Sequence, residues 1–151
     1  MNKQTQNIII VSLTLIAIYL YSFTANNIET KILGYNSFKF LISIAVLIQF
    51  LVFLPSFIFK TEKFYDLTGS FTYISVTSIA YFSLDNPTTT DTILYLYVII
   101  WAGRLGIFLF RRINKDGKDE RFDKAKKKFF WFLQYWMGQA AWVVFTAVHL
   151  F

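Results

Sequence analysis

Five apolar stretches separated by short polar ones set the plan of this chain. They cover residues 8–23, 40–59, 71–84, 92–110 and 129–151. A bilayer core about 30 Å thick takes roughly 17–25 residues of helix. The second, fourth and fifth stretches have that length; the first and third are shorter. Apolar and polar positions do not alternate strictly, which argues against barrel strands. In lipid a backbone must close its hydrogen bonds internally, so each stretch is predicted to be helical. The pattern therefore predicts an all-α integral membrane bundle of about five transmembrane helices, forming a single domain over residues 1–151.

Local signals refine the elements. The first stretch is too long for a typical signal-peptide core and no small-x-small site follows it, so it reads as a retained helix. Pro55 should kink or end the second. The run Asp85-Asn86-Pro87-Thr88-Thr89-Thr90-Asp91 is a turn or short loop. Asp66, Thr68 or Ser70 is expected to cap the third helix. Ala102, Gly103 and Gly106 on the fourth, with Gly138, Ala140 and Ala141 on the fifth, are small enough to let helices approach closely.

Composition agrees. Apolar residues make up 56% of the chain and aromatic ones 21%, and mean hydropathy is +0.47; a soluble domain runs nearer ~45–50% apolar. There is no cysteine, which excludes disulfides, thiolate metal sites and cysteine nucleophiles. Of fifteen basic residues, Arg111, Arg112, Lys115, Lys118, Arg121, Lys124, Lys126, Lys127 and Lys128 crowd one segment. Positive loops stay inside, so segment 111–128 and the N-terminus are expected in the cytoplasm, and the Asp85–Asp91 loop outside. The protein is expected in a bacterial inner membrane. Lys124 to Lys128 suit anionic headgroups better than nucleic acid, because they abut membrane spans.

Candidate chemistry is sparse. Arg104 lies inside an apolar helix, where a charge is costly and usually faces the bundle interior or a wet cavity. Arg111 follows two turns later on the same face. The pair suits phosphate, or Arg104 snorkels to the interface. Glu62 and Asp66 are four apart, and paired carboxylates can transfer protons or bind ribose hydroxyls. Gln49, Gln134 and Gln139 read as glue between helices. His149 stands alone, and no metal site is expected. The segment around Gly117 fails as a calcium loop, because Arg112 would occupy the first ligand position.

Several stretches carry a resemblance: Lys63-Phe64-Tyr65-Asp66-Leu67-Thr68-Gly69-Ser70, Trp101-Ala102-Gly103-Arg104-Leu105-Gly106, Phe108-Leu109-Phe110-Arg111-Arg112-Ile113, Gly117-Lys118-Asp119-Glu120-Arg121-Phe122-Asp123 and Gln139-Ala140-Ala141-Trp142-Val143. In these the chain resembles the DUF1295 family of steroid 5-alpha-reductase-like membrane proteins. The resemblance implies about seven spans and NADPH-dependent reduction of a carbon–carbon double bond in a lipid-soluble enone. It implies Arg104, Arg111, Arg112 and Asp66 as cofactor contacts; Glu62 and Asp66 are the candidate catalytic carboxylates, standing in for an acid of the family pattern. The family's Gln-Glu pair is absent before Leu54-Pro55. Relative to the family the chain is expected to be incomplete at its C-terminus, with a partner chain supplying further helices and NADPH bound weakly or not at all by this chain alone. A non-catalytic lipid-binding subunit is the alternative; methyl transfer like that of the isoprenylcysteine methyltransferases is a lesser one.

Overall fold

A computed structural model describes residues 2–24 and 31–148. Five long α-helices occupy the five predicted stretches: α1 (Lys3–Tyr21), α2 (Ser37–Ile58), α3 (Tyr65–Phe82), α4 (Thr89–Asp116) and α5 (Phe129–Ala147). A short hairpin, β1 (Lys31–Ile32) against β2 (Tyr35–Asn36), precedes α2, and single 3-10 turns at Glu120–Phe122 and Ala125–Lys127 fold the segment before α5. His149 and the end of the fifth stretch lie outside the described residues.

The helix ends follow from local chemistry. Asn2 and Asn36 cap α1 and α2 by accepting from the Gln4 and Lys39 amides. Pro55 sits inside α2, which ends one turn later. Thr88 and Asp91 form a reciprocal capping box at the start of α4. At its other end Gly117 adopts φ +80°, a left-handed conformation that costs glycine nothing and terminates the helix. Arg111 and Arg112 are therefore helical rather than in a loop. The expected cap of α3 is corrected: Phe64 is the capping residue and no side chain caps the amides. Thr68 and Ser70 lie inside the helix, with the Thr68 hydroxyl donating back to the Phe64 carbonyl at 2.7 Å.

Three helices, α1, α2 and α4, are long and apolar enough to cross a membrane. Helix α3 is richer in Ser, Thr and Tyr, with Thr68, Ser70, Thr72 and Thr77 buried, and α5 carries two Gln and three Trp. Gln49 of α2 donates to the Thr72 hydroxyl of α3 at 2.9 Å, which itself donates to the Thr68 carbonyl. This is the interhelical glue expected of Gln49. The Gln134 and Gln139 side-chain oxygens are buried with no partner among the described residues. Helix α5 packs on α1, α2 and α3, whereas α4 packs chiefly on α3. Gly106 makes that last contact possible: a Cβ there would lie 2.7 Å from the Ser70 Cβ. Ala102, Ala140 and Ala141 are buried as expected, but Gly103 and Gly138 face open space.

The core has two halves. One is mostly aliphatic, with Ile18, Leu41, Ile42, Val76, Val143 and Val144. The other is aromatic, with Phe53, Phe122, Phe132 and Trp136 fully enclosed. Ile9, Leu13, Ile16, Leu51, Ile93 and Ile100 remain exposed. An apolar exterior of that extent suits lipid, not water.

Candidate functional site

The end of α2, the start of α3, the end of α4 and the basic segment all meet at the aromatic end of the bundle. Glu62, in the turn between α2 and α3, is 5% exposed. It accepts from the Asp119 backbone amide at 3.0 Å and from Lys126 Nζ at 2.8 Å. Lys126 also reaches Asp123 at 3.6 Å. A buried carboxylate needs both a counter-charge and hydrogen-bond donors, and Glu62 has both. Its bonds tie the 3-10 turns to the α2–α3 turn, and Phe122 closes the joint by packing against Tyr65, Phe132 and Tyr135.

Asp66 sits one turn further on. It lies in the polar first turn of α3, ahead of the apolar part that begins at Phe71. Its nearest cation is Arg112 at 3.8 Å, a long ion pair. Burial pushes its carboxyl above the ordinary aspartate value, and the Arg121 and Arg112 charges pull it partly back. Arg121 forks onto Asp119, with its Nε 2.9 Å from one carboxylate oxygen; this hydrogen bond holds the Asp119 carboxyl below its usual range. Arg112, Asp119 and Arg121, with Ile113, Asp116, Lys118 and Glu120, line an open cleft of about 400 Å³.

Arg104 and Arg111 lie elsewhere. At 100° per residue they are about 20° apart on the helix, while Ala102, Gly106 and Ile113 centre on the opposite side. Those three are the buried residues of α4, so the two arginines point away from α3 and both are exposed. They line an open concavity of about 920 Å³ with Tyr97, Ile100, Trp101, Leu105, Ile107 and Phe108. Arg104 therefore does not face the bundle interior, which corrects that expectation. Asp66 joins Arg112, and the structure does not bring it to Arg104 or Arg111. Arg112 lies about 80° around the helix from Arg104, between the two regions. Among the described residues no group of His, Asp or Glu is placed to hold a metal.

Sequence reasoning gave no site role to Asp119 and Arg121 and set Lys126 against lipid headgroups. The acids and bases from Lys118 to Asp123 were the available signal, but Glu62, which engages Asp119 and Lys126, lies 57 and 64 residues away.

The family model described as "Protein of unknown function (DUF1295)" matches residues 52–151. No curated protein and no solved structure matches the chain. The chain belongs to the DUF1295 family.

Proposed function

We propose that this DUF1295 member binds NADPH at the end of α4 and serves a membrane reductase acting on the carbon–carbon double bond of a lipid-soluble enone. The observation that carries the reading is the half-open cluster of Asp66, Arg112 and Arg121, with Arg112 about 80° around α4 from Arg104. NADPH has two anionic centres, the pyrophosphate and the 2′-phosphate. Arginine recognises phosphate through paired hydrogen bonds, and an arginine commonly accommodates the 2′-phosphate. Arg104 and Arg111 suit the pyrophosphate, since their face runs up into the apolar part of α4, where a nicotinamide meets a lipid-soluble substrate. Arg112 and Arg121 suit the 2′-phosphate, and Asp66 suits a ribose hydroxyl or the proton supply.

Held by Arg104, Arg111, Arg112 and Arg121, NADPH would supply the hydride for the β-carbon of the enone. The α-carbon would need a proton from the protein to give the saturated ketone. Asp66 is the better proton source of the two carboxylates, because burial favours its protonated form against the pull of the Arg121 and Arg112 charges. Glu62 is committed to Lys126 and the Asp119 amide. The Arg104–Arg111 wall is one-sided. A partner chain or further helices closing it would raise affinity, and this chain alone binds NADPH near millimolar strength. The basic residues from Arg111 to Lys128 favour a cytoplasmic face for the site, in what we take to be a bacterial inner membrane.

Calorimetric titration of the detergent-solubilised chain tests the reading. NADPH should bind about tenfold more tightly than NADH, since one lost charge-assisted contact of about 1.4 kcal/mol is a factor of ten. Arg112→Ala should abolish the difference. Equal binding of the two cofactors, or none at 10 mM, defeats it.

A further inference from the structure

A further cavity lies at the same end of the bundle, between the first turns of α1 and α5. It has a volume of about 400 Å³ and is lined by Asn2, Gln4, Asn7, Lys128, Phe129, Phe130 and Trp131. Small-molecule sites begin at roughly 300 Å³. The position of the amides is what makes this notch unusual. Helix α1 packs on α5 through a stripe whose buried members are Val11 and Ile18. At 100° per residue Gln4 and Asn7 fall within about 60° of those two, on the same stripe. Amides in a seam between two membrane helices ordinarily hydrogen-bond across it. Here the seam changes to amides in its last two turns, and Asn7 is half-buried. Among the described residues no hydrogen bond engages the Gln4 or Asn7 side chain, and no ion pair engages Lys128. A half-buried amide and an exposed one, both without partners and beside an unpaired ammonium, suit a polar anionic occupant.

The surroundings select its class. Phe129, Phe130 and Trp131 form the rim, at the level where aromatic side chains sit between hydrocarbon and headgroup. The exposed apolar surface of α1, from Ile8 to Leu20, leads down from the notch into the lipid layer. Lys124 and Lys127 add positive charge nearby. A basic pocket between membrane helices at the headgroup level is the usual form of an anionic-lipid site. We infer that this notch binds the headgroup of an anionic phospholipid bearing hydroxyls, such as phosphatidylglycerol. Lys128 and the amide N–H groups of Gln4 and Asn7 meet the phosphate, and the amide oxygens accept from the glycerol hydroxyls. The acyl chains lie along α1. The site is separate from the NADPH-binding cluster, so each stands or falls alone.

Native mass spectrometry of the purified full chain tests the inference, with short-chain phosphatidylglycerol, phosphatidylcholine and soluble glycerol 3-phosphate as probes. Phosphatidylglycerol should be retained at least tenfold more tightly than phosphatidylcholine, and glycerol 3-phosphate should not displace it at equal concentration. Lys128→Gln, an exposed change that leaves the fold intact, should lower phosphatidylglycerol affinity about tenfold. Asn7→Leu should do the same where it folds. Lys63→Gln, at the same end but away from the notch, should leave affinity unchanged. Equal retention of the two lipids overturns the proposal. So does an equal loss in Lys63→Gln and Lys128→Gln, which is the signature of diffuse attraction. Displacement by glycerol 3-phosphate at equal concentration overturns it too, because the site would then be one for a soluble phosphate.

Discussion

Glu62 and Asp66 are four residues apart, yet their surroundings differ in kind. Glu62 is buried and fully partnered: a lysine at 2.8 Å and a backbone amide at 3.0 Å use its oxygens. Asp66 is half-buried, its nearest cation is 3.8 Å away, and a cleft opens beside the arginines it faces. A carboxylate whose partners are all intramolecular holds the chain together. A carboxylate that is desolvated but poorly partnered is free to meet a ligand. Sequence spacing suggests a matched pair, and the structure divides them between holding and binding.

Breaking the holding side should have the largest effect. Lys126→Ala leaves the Glu62 carboxylate buried with one backbone donor, a loss of about 3–5 kcal/mol for an uncompensated buried charge. At roughly 2–4 °C per kcal/mol for a chain of this size, thermal unfolding in detergent should fall by about 6–20 °C. Forcing α4 off α3 comes next. Gly106→Val places methyls against Ser70 and should cost about 1–3 kcal/mol; the same melt reads it, and an unchanged midpoint would mean that the α3–α4 contact is looser than described.

The binding side should move affinity and not stability. Asp66→Ala should weaken NADPH about tenfold, one charge-assisted hydrogen bond of about 1.4 kcal/mol, with little change in the melt. Arg104→Ala and Arg112→Ala should each weaken NADPH by a similar factor; if only Arg112→Ala does, the Arg104–Arg111 face takes no part. The smallest expected effect is that of Gly103→Ala. It faces open space, and alanine favours helix by roughly 0.8–1 kcal/mol over glycine, so the melt should rise by a few degrees.

The five helices were legible because lipid-facing runs are apolar almost without interruption. Their ends were less so. Tyr65 to Ser70 has the composition of a loop, but it is helical because Ser70 meets Gly106 and Thr68 bonds back to Phe64. Arg111 to Asp116 reads as a polar loop, although Gly117 marked the true end of α4. The face of Arg104 was readable in principle: Ala102, Gly106 and Ile113 recur at spacings of four and seven and define the packed side, which leaves Arg104 opposite. A rule that sends mid-helix charges inward outweighed that spacing. The bond between Glu62 and the Asp119 amide was not readable, since it depends on how a 57-residue separation closes.

The most direct test sets the two carboxylates side by side. Thermal unfolding of wild type, Asp66→Ala and Lys126→Ala is measured with and without 10 mM NADPH. At a dissociation constant near 1 mM that concentration contributes about 1.4 kcal/mol, a rise of roughly 3–6 °C. Asp66→Ala should melt with the wild type in the absence of NADPH and lose most of the rise, while Lys126→Ala should melt far lower from the start. If Asp66→Ala instead melts as low as Lys126→Ala and keeps the full NADPH-dependent rise, the division of roles is wrong.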